Sequence, residues 1–329
     1  MTTIKDVAEK AKVAISTASY VLNGIDKVSP KTKARVLKAA QELNYQKNGF
    51  AVDLKKTKTN TIALLLDDLA GPFYSVLVKG VQDIVTEHGY GLVACSAIGG
   101  DRSTAVKYLK ERRADGCIVF ANNISDDLIK NVTQRNYPMV LLDRNLDCTS
   151  TIKVEVDNRG GASGAVEYLI SKGHKDIAYI SGPKESYNSQ QRFEGYREAL
   201  KKHHIPFRDI WVINGKFTKE GGELATKLLL AQQEKPTAVF YGNDEMAIGG
   251  MYAMKKAGMK LPDEMSVIGF DDILEAKYTN PQLTTIKQPK YELGALAAHL
   301  IFKVLENKER TQSSRLFTEL LERESVKDL

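Results

Sequence analysis

The chain has 329 residues, 43% hydrophobic and 27% charged, enough to bury the cores of two or three domains. No apolar run approaches the ~20 residues of a membrane span, and the polar start is unlike a signal peptide, so a cytoplasmic protein is expected. The formal charge of +6 is unevenly placed: residues 1–58 hold 12 Lys and Arg against 5 Asp and Glu, a local +7, so the other 271 residues sum to −1. A short basic module joined to a large near-neutral one suggests one part that holds a polyanion and another that senses something else. Three cysteines (Cys95, Cys117, Cys148), in no CxxC and no metal-ligand spacing, read as small buried apolar residues.

Thr3-Ile4-Lys5-Asp6 has the form of a capping box, with Asp in the N3 place. Ile4, Val7, Ala8 and Ala11 then recur at helical spacing, predicting a first helix of about two turns. A break at Lys12–Ala14 leads to a second helix, Ile15 to Asn23, with Ala18, Val21 and Leu22 inward and Asn23-Gly24 as its stop. Ser29-Pro30 supplies an N-cap and a Pro at N1 for a third helix running to about Asn44 and burying Ala34, Val36, Leu37, Ala40 and Leu43. The tight turn between the first two helices, together with the basic excess, favours a helix-turn-helix over other small bundles. Tyr45 to Thr61 is polar and basic, with too few apolar residues to fold alone.

From Thr61 onward strand-like and helical runs alternate. Thr61–Leu66, Gly91–Ser96, Gly116–Phe120 and Met139–Leu142 are strands separated by helices at Tyr74–Glu87, Ser103–Arg112 and Asp126–Gln134. The pattern restarts with Ala162–Ser171, Ile177–Ser181, Ser189–Lys202, Gly221–Ala231, Ala238–Tyr241, Glu245–Lys256 and Ser266–Phe270. Such alternation predicts parallel sheets covered by helices on both faces, in two successive sets. Ligands of such sheets sit beyond the strand C-terminal ends.

The segments TIKDVAEKAKVAISTASYVLNG and VSPKTKARVLKAAQELNY resemble the DNA-binding head of the LacI/GalR family of bacterial transcription regulators, and similar motifs continue to the C-terminus. The resemblance implies an all-α three-helix helix-turn-helix head (1–47), a hinge helix or linker (48–60) and an α/β periplasmic-binding-protein-like core of two doubly wound lobes (61–329). The N-lobe would take about 61–159 and 291–318, the C-lobe about 160–288 and 319–329. Three interlobe crossings are implied, near Asp157–Gly161, Lys287–Tyr291 and Leu316–Glu319.

In the head, the resemblance places Ile15, Ser16 and Tyr20 on base edges and Thr17 and Ser19 on phosphates, with Thr3, Lys5, Asn23 and Tyr45 as further DNA-binding residues. Two departures stand out. Ala14 replaces the usual Ser, so either Ser16 caps a later start or the helix is weaker by ~1 kcal/mol. Tyr20 replaces the usual Arg or His and cannot make the bidentate contact to guanine. In the hinge, Ala51, Leu54 and Lys55 would meet the minor groove, Leu54 as a wedge between bases. Lys47 stands in place of Pro, Val52 in place of Arg, and Gly49 disfavours helix, so the hinge is expected to fold only on DNA beside a partner chain. Amide protection across Gly49–Lys55 in the free protein would contradict that.

In the core, the resemblance nominates Phe73, Tyr74, Asp143, Arg144, Asn188, Arg192, Phe217, Asn243 and Asp271 as effector-binding residues. Aromatic faces with Asp, Asn and Arg suit a sugar, whose ring has apolar faces and hydroxyls needing donors and acceptors. The bland alternatives are that Asp271 caps a helix and that Asp143 and Arg144 form a surface ion pair. The expected protein is a homodimeric repressor of sugar uptake or catabolism genes. It binds a pseudo-palindromic double-stranded DNA operator, with a sugar or sugar phosphate as effector. The alternatives are a global regulator gated by a phosphorylated carrier protein and a nucleobase-responsive repressor. Gly160-Gly161-Ala162-Ser163-Gly164 lacks GxGxxG spacing, there is no P-loop, and the five histidines are scattered, so neither enzyme, cofactor nor metal is expected.

Overall fold

The computed structural model describes residues 2–45, 58–134, 137–146, 148, 151–306 and 313–329. The expectations for Lys47, Gly49, Ala51, Val52, Leu54 and Lys55 lie outside these residues. The chain divides into two compact units, residues 1–59 and 60–329.

The first unit holds three helices: α1 (Ile4–Lys10), α2 (Ile15–Leu22) and α3 (Pro30–Glu42). The capping box is formed, with Thr3 N–H donating to Asp6 Oδ2 at 2.7 Å and Asp6 N–H to Thr3 Oγ1 at 3.4 Å. Val7, Ala8, Ala11, Ala18, Val21, Val36, Ala39 and Ala40 form its core, with Leu22 and Leu43 partly buried against it. Two expected core residues of α3 are outside: Ala34 is exposed and Leu37 is 48% exposed. The buried stripe runs through Val36, Ala39, Ala40 and Leu43, which leaves Leu37 and Ala34 on the opposite face. Ser29 occupies the cap position but donates to Thr32 Oγ1 instead of accepting from the backbone.

The second unit contains two six-stranded sheets. The first has the order β11-β5-β4-β3-β1-β2, from β1 (Thr61–Leu66), β2 (Gly91–Ser96), β3 (Gly116–Phe120), β4 (Met139–Leu142), β5 (Ile152–Val156) and β11 (Ser314–Leu316). All its pairings are parallel. One face packs on α4 (Pro72–Glu87) and α11 (Lys290–Leu305), the other on α5 (Thr104–Glu111) and α6 (Asp126–Thr133).

The second sheet has the order β12-β10-β9-β8-β6-β7, from β6 (Ile177–Ser181), β7 (Val212–Asn214), β8 (Ala238–Tyr241), β9 (Ser266–Asp271), β10 (Thr284–Lys287) and β12 (Glu319–Leu321). Only β10 with β12 is antiparallel. Its faces are covered by α7 (Asn158–Ser171) with α8 (Tyr187–Lys202), and by α9 (Lys219–Leu230) with α10 (Asp244–Lys256). Burial on both faces explains why β1, β4 and β8 read as continuous apolar runs.

The chain passes between the sheets three times, from β5 to α7, from β10 to α11 and from β11 to β12. The first series does not close at Met139–Leu142: β5 follows, its alternating Ile152, Val154 and Val156 facing the core. The glycines at 160–164 lie within α7, and Gly161 packs against Thr318 and Phe270.

Candidate functional site: a helix face and an interlobe cleft

In the head, α2 separates two faces. Ala18 and Val21 are buried, whereas Ile15 (47% exposed), Ser16 and Tyr20 (40% exposed) point outward together. The helix begins at Ile15 with Ala14 as an uncapped start, so Ser16 does not cap a later one. Uncapped first-turn N–H groups suit phosphate oxygens. Thr17 and Ser19 are half-buried, and Ser19 Oγ accepts from Asn23 Nδ2 at 3.1 Å. Thr3 is committed to its capping box, Lys5 is exposed, and Tyr45 is half-buried against the three-helix core.

In the core, the nominated residues converge where the strands end. Phe73 and Tyr74 open α4 and form an aromatic group with Phe120 at the end of β3, with centroids 5.6–6.1 Å apart. Burial, with the carboxylates of Asp67, Asp68, Asp271 and Glu245, pushes the Tyr74 phenol well above its usual range.

Asp143 follows β4 at a positive φ of 43°. Its carboxylate accepts from Val156 N–H at 2.6 Å and from Asn158 Nδ2 at 3.3 Å, and burial raises its pKa to about 6. Asp143 thus ties β4 to the first crossing. Arg144 turns away: it donates to Asp126 Oδ1 (2.9 and 2.5 Å), Ala121 O (2.7 Å) and Ile124 O (2.6 Å). The ion pair of Arg144 is with Asp126, not Asp143.

On the opposite side, Arg192 of α8 is 3% exposed. Its Nε donates to Asn158 Oδ1 at 2.9 Å, one terminal nitrogen donates to Gly242 O and lies 3.4 Å from Asp271 Oδ1, and its plane lies 3.9 Å from the Phe270 ring centroid. Phe217, at φ 62°, seats its ring against Gly182, with Arg192 5.7 Å from the ring centroid. Asn243 is spent at both ends: it caps α10 through Met246 N–H (3.0 Å) and donates to Phe217 O (3.2 Å).

Asp271 ends β9 at φ 122° and accepts from Gln288 Nε2 at 2.6 Å, while Lys290 Nζ holds its carbonyl. It does not cap a helix. Asn188 opens α8 with a buried Oδ1 that has no partner among the described residues.

Phe73 and Tyr74 are therefore grouped with Phe120, and Asp143, Phe217 and Asp271 are brought together around Asn158 and Arg192, while Arg144 and Asn243 are engaged by neighbouring backbone and Asn188 stands at the start of α8. Sequence reasoning missed Phe120, Asn158, Gln288 and Lys290. Phe120 ends the apolar strand Gly116–Phe120, where an aromatic residue gives no sign of a site. Asn158, Gln288 and Lys290 sit at or beside crossings, and their polar type at such points was the available signal. A separate hollow of about 370 Å³ beside the first crossing is edged by the Arg315–Glu155 and Arg159–Glu198 ion pairs, apart from the aromatic group.

The chain matches two family models: "Bacterial regulatory proteins, lacI family" over residues 3–48 and "Periplasmic binding protein-like domain" over 166–326. It is 37% identical to the HTH-type transcriptional repressor PurR of Photorhabdus laumondii, over 100% of this chain and 98% of the relative. It is 34% identical to catabolite control protein A of Priestia megaterium, over 95% of each. Among solved structures, it resembles the lac repressor dimer bound to operator and the anti-inducer ONPF (TM-score 0.77, 28% identity, 99% of each chain). It also resembles the complex of the transcriptional regulator CelR with cellobiose (TM-score 0.73, 30% identity, 99% of this chain and 100% of that one).

Proposed function

Since the chain belongs to the LacI family of bacterial regulatory proteins, which are sequence-specific DNA-binding transcription regulators, we propose that it represses sugar uptake or catabolism genes in response to a sugar held between its two core lobes. The observation that carries this reading is the cleft, where the Phe73–Tyr74–Phe120 rings and the buried Arg192–Asp271 pair converge at strand ends. Rings cover the apolar face of a sugar, and the polar groups fix its hydroxyls.

In this reading, residues 1–47 read DNA, 48–60 form the hinge and 61–329 sense and dimerise. Ile15, Ser16 and Tyr20 contact base edges, and Thr17, Ser19 and the α2 start contact phosphates. Two chains occupy the half-sites of a pseudo-palindromic operator. The effector is bound and released unchanged.

Operator footprinting across a salt series, with a panel of sugars, nucleobases and a phosphorylated carrier protein, tests the proposal. The expected result is a discrete protected palindrome whose occupancy changes with one of the sugars. Failure of every site to outcompete bulk DNA at any salt would sink it. A response to the carrier protein alone would remove the small-molecule part.

A further inference from the structure

The eight residues of α2, Ile15-Ser16-Thr17-Ala18-Ser19-Tyr20-Val21-Leu22, include no Arg, Lys, Asp, Glu, Asn or Gln. Those are the side chains whose hydrogen bonds tell one base from another in the major groove: Arg and Lys for guanine, Asn and Gln for adenine, Asp and Glu for cytosine. The amide at the C-cap does not fill the gap, because Asn23 Nδ2 donates to Ser19 Oγ at 3.1 Å.

What the helix presents instead is apolar bulk and hydroxyl groups. Ile15 heads it at 47% exposure, and Tyr20, five residues on, is 40% exposed. Ala18 and Val21 belong to the core of the head, so the helix cannot turn another face outward without opening that core. Ser16 is exposed one turn before Tyr20. A hydroxyl donates or accepts and so serves any base, and neither Ser16 nor the Tyr20 phenol discriminates by hydrogen bonding alone.

In the major groove only thymine offers an apolar partner, its 5-methyl group. An aliphatic chain or an aromatic ring laid on that methyl takes both surfaces out of water. Laid on cytosine or a purine, the same side chain covers the N4 amino donor or the N7 acceptor and leaves it unpaired, which is costly. Affinity and selection therefore have separate sources in this head. The 12 Lys and Arg of residues 1–58 attract phosphates of any sequence, and α2 adds the preference.

We infer that α2 reads its half-site by apolar contact, with Ile15 and Tyr20 each set on a thymine 5-methyl group, so that A·T pairs are selected under both. This rests on the reading of α2 as the base-contacting helix.

Selection of operators by the full chain from random duplex DNA tests it, followed by titration at one salt concentration of the selected operator with uracil replacing thymine at one position at a time. Uracil lacks the methyl group and keeps every hydrogen-bonding edge. Loss of one such contact should weaken binding about fourfold, the worth of one buried carbon, and symmetric replacement in both half-sites about 15-fold. At the same positions 5-methylcytosine should bind more tightly than cytosine. The uracil penalty should vanish at one thymine in Tyr20→Ala and at another in Ile15→Ala. Tyr20→Arg should move the preferred pair at its position to G·C by at least about fivefold. If uracil is tolerated at every thymine while either alanine variant still alters the preferred sequence, the inference is overturned and α2 remains the reader. Wild-type preference for G·C at the positions those variants alter overturns it in the same way. A preferred sequence unmoved by both alanine variants overturns the inference together with the reading of α2.

Discussion

Arg192 joins three parts of the core at one buried point: the first crossing through Asn158, the end of β8 through Gly242, and β9 through Asp271 and Phe270. A planar fork can reach all of these while stacking on a ring, and an ammonium cannot. Arg192→Lys should therefore lose about 2–4 kcal/mol in urea unfolding and most of its ligand affinity, since the charge stays while the fork is lost. A variant with wild-type stability and binding would show that the geometry is incidental. Asp244 makes a different case. It is wholly buried, accepts from Thr285 Oγ1 (2.6 Å) and Ile273 N–H (2.9 Å), and has its pKa raised to about 7 by burial first and by Asp271 second. A carboxyl whose folded pKa lies above its unfolded value binds more protons when folded, so its contribution falls as pH rises from about 4 to about 7. Asp244→Asn, which keeps the shape without the charge, should match the wild type near pH 4 and exceed it at pH 8 by on the order of a few kcal/mol. Melting curves across that range would show whether the gap opens with rising pH.

At the scale of elements, α2 is the weak point of the head. Ala14 has an extended backbone (φ −66°, ψ 151°) that suits a capping side chain, yet it offers none. Ala14→Ser should add about 1 kcal/mol to the head and slow amide exchange in α2 in the full chain; unchanged exchange would mean the cap is not limiting. The α4–α11 pair rests on close backbone approach, and a methyl at Gly294 would run into the Leu77 carbonyl while one at Gly80 would meet that of Tyr291. Legibility followed the same divide. The strands of the two sheets that were read, such as β1, β3 and β8, are buried on both faces, so composition marks them without knowledge of their neighbours. The short β10, Thr284–Lys287, depends on pairing to exist as a strand, whereas residues 154–156 of β5 and Val212–Asn214 of β7 are strand-like in the sequence itself. Helices α4, α7, α8 and α9 begin two to four residues earlier than hydrophobic periodicity marked: α7 and α9 open on polar and glycine residues from Asn158 and Lys219, and α4 opens on Pro72, which suits a first helical position. The cleft was legible as residue types at strand ends, but hydrogen-bond assignment was not. Whether Asn243 faces a ligand or caps its own helix depends on where Phe217 O lies, 26 residues away in the chain.

For the whole molecule, regulation requires that events at the cleft bias the N-lobe, and the second crossing supplies a route. Lys290 is the first residue of α11, which packs along α4 and the first sheet. Its ammonium holds the carbonyls of Asp271 and Asp272 at the end of β9, in the other lobe. Arg323 pins Asp272 from the other side at 2.5 Å. The strand end that carries the cleft carboxylate is thus tied directly to a helix of the opposite lobe. A ligand shifts a two-state equilibrium only by its unequal affinity for the two states, so the tie matters if it differs between open and closed lobes. Lys290→Met keeps the buried stem and removes the ammonium. In the proposed reading the ligand is met by Asp271 and the rings, so its affinity should change less than about tenfold. Because the tie to α11 is lost, the ligand-dependent change in operator affinity should fall by about 1–2 kcal/mol, within the usual range of a coupling energy. Operator titrations of wild type and variant, each with and without saturating sugar, measure that coupling. Loss of sugar binding with unchanged coupling per bound ligand would place Lys290 in the binding site instead of on the route between lobes.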